Sequence, residues 1–406
     1  MISKKYLFIH QNFPGQFVHV AAELARLGHE VVALGIKGRP VPGVKFLRYT
    51  PKPPERPSAV EASIDFETKI VRGVACAQVM ARLKKGGFEP DVIVAHPGWG
   101  EALFCKDVWP NARFVVFAEF FYRTEGTDYS FDPEFTTDTL AGRVRLRIKN
   151  TVHLHALHAA DAIYSPTHWQ AAQLPTEYAA KTRVIFDGID TQTVKPEAKA
   201  FVHLKRANLK LTAQSEVITF INRNLEPYRG FHVFMRALPA ILQQRPNAQV
   251  LIVGRDEVSY GSMPKNGKNW REVMLAEVGS QLPLERVHFL GGLPYADYLR
   301  LLQVSSCHVY LTYPFVLSWS CLEAMAAECV VVASSTPPVK EVIEHGKNGL
   351  LFDFFDTAAL TRQVVAVLGN RPAFKHLGQQ ARQDVINRYD LQTRCLPELL
   401  KLVAQN

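Results

Sequence analysis

No stretch of this 406-residue chain approaches the run of about 20 apolar residues needed to cross a bilayer. The N-terminus, M-I-S-K-K-Y-L-F-I-H, passes after a short apolar run to Gln and Asn, which is neither a secretory signal nor an anchor. Cysteine is sparse. Cys76, Cys105, Cys307, Cys321, Cys329 and Cys395 are scattered without any C-x-x-C spacing and lie mostly in apolar runs. That pattern points to reduced core thiols in a cytosolic protein. A phosphate loop G-x-x-x-x-G-K is missing, as is a G-x-G-x-x-G fingerprint with an acidic partner, which argues against an ATPase or a dehydrogenase. The net charge of +9 comes with no zinc finger, no aromatic-glycine RNA motif and no dense lysine tract, so a nucleic-acid partner is not expected. Diphosphate-bearing substrates, or an anionic membrane surface where acceptors reside, remain open as the reason for it.

The composition is that of a globular protein, 47% hydrophobic and 21% charged. The length suits two domains of about 200 residues each. Tyr6–His10 is an apolar run, Val18, Ala21, Ala22 and Leu24 start a helical stripe that closes at Gly28, and Glu30–Leu34 is a strand. This is a β-α-β unit, with Gly15 in the first turn, where a missing Cβ lets the backbone approach a ligand or simply makes a tight turn. Strands follow at 44–48, 91–95, 113–117 and 162–164, with helical patterns near 66–85 and 141–160, predicting an open parallel sheet covered on both faces. The prolines of Pro51–Ser58 make that segment an exposed loop.

Polar residues gather after the strands of this half. His96, in A-H-P-G-W-G-E, stands at the carboxyl end of a strand, where α/β sheets bind ligands; it either hydrogen-bonds a ligand, passes a proton or serves the structure. Glu119, Tyr122 and Arg123 follow the next strand and either line an acceptor site or form a polar loop. The run R-V-R-L-R-I-K at 143–149 reads as the basic first half of one helix continuing to Ala160, either a solvated face or a cationic surface for acceptor phosphates or a bilayer. The polar, non-periodic stretch after Ile189 puts the domain boundary between about Ile189 and Ala213.

The second half restarts with the strand 217–221, then N-R-N-L-E-P-Y-R-G-F and a helix. Arg223 and Arg229, in a loop leaving a strand toward a helix, can converge on one anion, and the planar guanidinium fork suits phosphate oxygens. Tyr310–Ser335 then reads strand, loop, helix, strand. Ser318 can cap that helix, whose first amides favour an anion, and Glu323 lies one to two turns inside. A carboxylate between Leu322 and Ala324 needs donors, and ribose hydroxyls would supply two; a solvated helix glutamate is the alternative.

The segment C-L-E-A-M-A-A-E-C-V-V-V-A-S, together with G-F after Arg229 and the sequence F-D-G-I-D near residue 188, resembles the family 4 retaining glycosyltransferases of the GT-B fold. The resemblance runs along essentially the whole chain and is strongest from Val217 to Asp353. It implies two Rossmann-like doubly wound domains facing a central cleft, with the last helices crossing back: residues 1–200 on the acceptor side, 201–385 binding the nucleotide sugar, and 386–406 returning to the first domain. By resemblance, Arg223 and Arg229 hold the donor diphosphate, Glu323 the ribose, and Gly254 with Leu290 and Gly291 the nucleotide. Phe315, Val316, Leu317 and Ser318 meet the donor sugar, while Gly15 and His96 close from the other domain. No metal or other cofactor is implied, since arginines and a helix end carry the positive charge. The family keeps two glutamates seven residues apart; here Phe315 stands in the first position, where a carboxylate would face the sugar hydroxyls.

The activity this implies is transfer from a nucleoside-diphosphate sugar, UDP favoured and GDP the second choice, to a glycan, lipid-linked or other hydroxyl acceptor. The setting implied is cytoplasmic, with peripheral contact at the inner face of the membrane. Two other readings stay open: a non-catalytic module that binds a sugar nucleotide or a partner, motivated by Phe315, and a nucleotide-sugar epimerase on the same fold.

Overall fold

The computed structural model describes residues 3–53, 55 and 60–405; within the proline-rich loop, Pro54 and residues 56–58 lie outside the described residues. The chain forms two compact units, one running to Gly188 and resuming at Leu391, the other spanning Ile189–Asp390. The sequence expectation set these changes at 201 and 386.

The first unit is built on β1 (Lys5–Ile9), α1 (Val18–Arg26), β2 (Glu30–Gly35), β3 (Val44–Arg48), α2 (Ile64–Lys85), β4 (Val92–Ala95) and β5 (Arg113–Phe117). It continues with α3 (Leu140–Lys149), α4 (Thr151–Ala159), β6 (Ala162–Ser165) and β7 (Thr182–Val184). The strands pair in parallel in the order β3-β2-β1-β4-β5-β6-β7. Tyr6 to Ile9, Ile93 to Ala95 and Phe114 to Phe117 are all fully buried. Continuous burial, rather than alternation, is what a parallel sheet with both faces covered requires.

One helix was expected over 141–160; there are two. Asn150 interrupts the run, its side chain accepting from the Tyr122 amide at 3.0 Å and donating to the Tyr122 carbonyl at 2.7 Å. A side chain tied to a neighbouring loop in this way anchors the joint between α3 and α4.

The second unit contains β8 (Val217–Asn224), α5 (Phe231–Gln244), β9 (Gln249–Arg255), α6 (Trp270–Val278), β10 (Val287–Gly291), α7 (Tyr295–Val304) and β11 (Cys307–Tyr310). After these come α8 (Trp319–Ala326), β12 (Val331–Ser334), β13 (Leu350–Phe352), α9 (Thr357–Gly369) and α10 (Arg371–Tyr389). Its sheet, also parallel, runs β10-β9-β8-β11-β12-β13.

Both sheets therefore reverse direction of winding once, at β1/β4 and at β8/β11. In doubly wound sheets the crevice beyond the carboxyl ends of such strands is where ligands bind.

The segment after Leu391 ends in α11 (Leu396–Ala404) and belongs to the first unit. Leu396, Leu399, Leu402 and Val403 share an apolar cluster with Val20, Ala21 and Leu24 of α1. Its free carbonyls are met by Arg113, donating to Leu402 O at 2.8 Å, and Lys4, donating to Ala404 O at 3.1 Å; cations suit a helix C-terminus. All six cysteines are buried free thiols.

Candidate active site

In the first unit, Ile9 pairs with Ala95, so the residues that follow them, His10 and His96, emerge side by side at the switch point. Their ring centroids are 5.5 Å apart. The ring nitrogens have fixed roles. Asn12 N donates to His10 Nδ1 at 3.0 Å and Gly98 N donates to His96 Nδ1 at 3.1 Å, which leaves the proton on Nε2 of each ring. His96 Nε2 then donates to Glu119 Oε2 at 3.2 Å, and His10 Nε2 to Gln16 Oε1 at 2.9 Å. Gln16 Nε2 closes the chain on Glu119 Oε1 at 2.7 Å. Trp99 stacks on His96 with centroids 4.1 Å apart, fixing its ring plane.

Burial alone would raise the Glu119 pKa, but the His96 hydrogen bond, the two imidazoles and the Gln16 amide hold it below the ordinary carboxylate value. Burial, then the neighbouring His96, pushes His10 down to about 4. The result is a carboxylate held toward its ionised form, partly open to solvent, bonded directly to His96 and through Gln16 to His10.

Gly15 has φ +51, and a Cβ there would lie 2.3 Å from His10 Nε2. The space that a missing side chain opens is filled by His10. Of the other two residues expected on the acceptor side, Arg123 has its side chain bonded to backbone carbonyls. Tyr122 binds Asn150 through its main chain and has Lys149 Nζ 3.8 Å from its ring centroid. Arg123 donates to the carbonyls of Gln173 and Leu174 at 2.8 and 3.2 Å.

In the second unit, the connections after β8 and β11 touch. Gly230, at φ +66, would drive a Cβ to 2.3 Å from Leu311 Cβ, so only glycine lets the first loop lie on the second. Arg229, 6% exposed, donates from Nη1 to Thr312 Oγ1 at 2.7 Å and to Val316 O at 3.0 Å. Burial opposes its charge, but the Tyr310 and Tyr260 hydroxyls and the Glu226 carboxylate raise its pKa above the ordinary guanidinium value. Arg223, near the end of β8, is exposed.

Phe315 is buried in an aromatic group around Arg229, its ring 4.8 Å from Tyr260 and 5.6 Å from Tyr228. The guanidinium carbon lies 5.4 Å from the Tyr260 ring and 5.8 Å from the Phe315 ring. Glu226 holds Tyr260 in place by accepting from the amides of Ser259, Tyr260 and Gly261 at 3.0–3.2 Å. Leu317 is buried, while Val316 and Ser318 are half-buried. Ser318 caps α8, accepting from Ser320 N at 3.3 Å, and its own amide donates to Tyr310 Oη at 3.0 Å.

Glu323 faces neither open solvent nor an empty pocket. Tyr295 Oη donates to its Oε1 and Tyr298 Oη to its Oε2, both at 2.6 Å. Burial raises its pKa against the pull of those two bonds. Gly254 packs against Leu225, with Leu290 and Gly291 ending the neighbouring strand β10.

Sequence reasoning missed His10, Gln16, Trp99, Glu226, Tyr260, Tyr295 and Tyr298. His10 carried a readable signal, because it ends its apolar run just as His96 does. The tyrosines' spacing of three residues on a helix marked one face, but nothing in it named Glu323 as their partner.

Two doubly wound units, each with polar groups assembled at its switch point, are the architecture of the GT-B fold. The chain belongs to the family 4 glycosyltransferases: residues 27–194 match the model "Glycosyl transferase family 4 group" and residues 203–384 the model "Glycosyl transferases group 1". Spore coat protein SA of Bacillus subtilis is 24% identical over 233 residues, 56% of this chain and 59% of its own length. D-inositol 3-phosphate glycosyltransferase of Nocardia farcinica is 26% identical over 228 residues, 55% of this chain and 48% of its own length. The chain thus spans about half the length of the curated relatives it matches. Among solved structures, sucrose-phosphate synthase from Thermosynechococcus elongatus is similar at a TM-score of 0.74 and 17% identity, covering 98% of both chains. Anabaena HepE in complex with UDP-glucose is similar at 0.70 and 16%, also covering 98% of both. These two likenesses show the fold.

Proposed function

We propose that this chain is a retaining glycosyltransferase that takes a sugar from a nucleoside-diphosphate donor, a UDP-sugar before a GDP-sugar, to a hydroxyl of a glycan or lipid-linked acceptor. The observation that carries this reading is Arg229: a buried guanidinium bonded to Thr312 and Val316, in the connection that leads directly into the capped start of α8. A buried guanidinium costs desolvation that its partners must offset, and its planar fork matches phosphate oxygens. Arg223, Arg229 and the α8 amides would take the charge of the departing diphosphate as the acceptor attacks from the same face, and Glu323 would hold the ribose. With the positive charge supplied by side chains and backbone, the step calls for no metal. In the first unit, His96 and Glu119 would meet the acceptor hydroxyl.

A peripheral membrane contact fits α3, which exposes Leu140 and Val144 between Arg143, Arg145 and Arg147. Among the described residues no helix is long and apolar enough to cross a membrane. The specific alternative is an inert sugar-nucleotide module, favoured by the burial of Phe315 where the resemblance places a carboxylate.

The test is release of nucleoside diphosphate from a panel of UDP- and GDP-sugars with mixed acceptors, with and without a chelator. Release with inverted or absent product stereochemistry would reject the retaining assignment. Release lost in Glu323→Ala and unaffected by chelator supports the enzyme; binding without release supports the module.

A further inference from the structure

Both oxygens of Glu323 already accept a hydroxyl, and the two tyrosines that donate differ in one respect. Tyr295 is the first residue of α7, 53% exposed, and it follows the connection from β10 that begins at Gly291. Tyr298, one turn further along the same helix, is half-buried, and burial followed by the Glu323 carboxylate raises the pKa of its hydroxyl. The rings pack on each other with centroids 5.6 Å apart and planes 32° apart. A tyrosine hydroxyl at 2.6 Å from a carboxylate oxygen makes the short, charge-assisted bond that a ribose hydroxyl would make at the same atom. Glu323 sits 9% exposed, so it has little room for a further donor while both tyrosines are in place.

We propose that the two tyrosines divide the work on Glu323: Tyr298 is a positioning residue that keeps Oε2 bonded in every state, and Tyr295 is a stand-in whose hydroxyl leaves Oε1 when a ribose hydroxyl arrives. The proposal rests on the reading of Glu323 as the ribose ligand. Its physical content is a competition. In the unliganded protein Tyr295 satisfies a carboxylate oxygen that burial would otherwise leave without a donor, an expensive omission. The nucleotide must break that bond to make its own, so Tyr295 lowers apparent affinity, while Tyr298 raises it by fixing the carboxylate before the ligand comes. Removing the same single oxygen atom from each ring therefore has opposite consequences.

The experiment uses the full chain with Tyr295→Phe, Tyr298→Phe and Glu323→Gln, titrated calorimetrically with UDP, GDP and the corresponding 2′,3′-dideoxynucleoside diphosphates. Phenylalanine keeps the ring packing, and thermal unfolding of each variant checks that the fold is retained. Tyr295→Phe is expected to tighten the ribonucleotide several-fold, and Tyr298→Phe to weaken it about tenfold. Neither change is expected with the dideoxy ligand or in the Glu323→Gln background. A role in packing alone would move both ligands equally. If wild type prefers the ribonucleotide and loses that preference in Glu323→Gln, but the two tyrosine variants shift affinity in the same direction or not at all, the division of work is overturned and the ribose reading stands. If wild type does not distinguish ribo from dideoxy ligand, or binds neither base, the ribose reading falls and this proposal with it.

Discussion

His10 and position 15 compete for one volume: a Cβ on Gly15 would lie 2.3 Å from His10 Nε2, the atom that bonds Gln16 and so links His10 to Glu119. Gly15→Ala therefore meets two penalties, a left-handed backbone at φ +51 and a displaced imidazole. The backbone alone costs about 1–3 kcal/mol. Denaturant unfolding is expected to show a loss of that order, and turnover is expected to fall with it, because Glu119 loses one of its two side-chain donors. His96→Ala removes the other donor, and is expected to lower turnover more than nucleoside diphosphate affinity.

The pH dependence of stability follows from His10. Its pKa in the fold, about 4, lies below the ordinary value of 6.5. An unfolded chain therefore takes up this proton first as pH falls. The contribution is complete above about pH 6.5 and is lost progressively down to about pH 4. A difference of that size corresponds to roughly 3 kcal/mol. His10→Gln, which cannot titrate, is expected to flatten the stability profile between pH 6.5 and 4 in urea unfolding. An unchanged slope would assign the acid sensitivity to other groups.

Arg223 and Arg229 differ in what they do without a ligand. Both should lower nucleoside diphosphate affinity when changed to alanine, the buried Arg229 by about 2–5 kcal/mol and the exposed Arg223 by less. Only Arg229→Ala should also lower the unfolding temperature, since it strands Thr312 Oγ1 and Val316 O and vacates the centre of an aromatic group. Calorimetry and thermal unfolding on the same samples separate the two effects. Affinity unchanged from wild type in both variants would remove the diphosphate from this site.

The architecture was legible because parallel strands write themselves as unbroken apolar runs, such as Tyr6–Ile9 and Ile93–Ala95, and because Ser318 and the glycines punctuate the turns. Residues at strand ends were legible too, which is why His96, Glu119 and Arg229 stood out, and the structure joins the first two by a hydrogen bond. What stayed hidden depends on pairing across distance. Glu226 acts on amides more than thirty positions away, Tyr295 and Tyr298 act on a carboxylate on another helix, and Arg123 spends its guanidinium on carbonyls fifty residues on. The break at Asn150 was masked for the same reason: its cause is the Tyr122 main chain, whereas the local periodicity runs through.

Phe315 decides between an enzyme of altered donor preference and an inert module. Its ring closes on Tyr228 and Tyr260 and faces the Arg229 guanidinium, so the position contributes apolar packing in place of a hydrogen-bonding carboxylate. A site built this way loses affinity for a fully hydroxylated sugar, whose hydroxyl would go unpaired, and keeps it for a deoxy or N-acetylated one. Wild-type protein is therefore expected to release nucleoside diphosphate from donors of the second kind faster than from simple hexose donors, and to lose that release in Glu323→Ala. Phe315→Glu is expected to reverse the donor order. The new carboxylate would also lie beside Arg229 and compete with the diphosphate for it, weakening the free nucleotide, and its burial should lower the unfolding temperature. If wild type binds these nucleotides but releases product from none of the donors, and Phe315→Glu restores release, the aromatic substitution is what silenced a glycosyltransferase site.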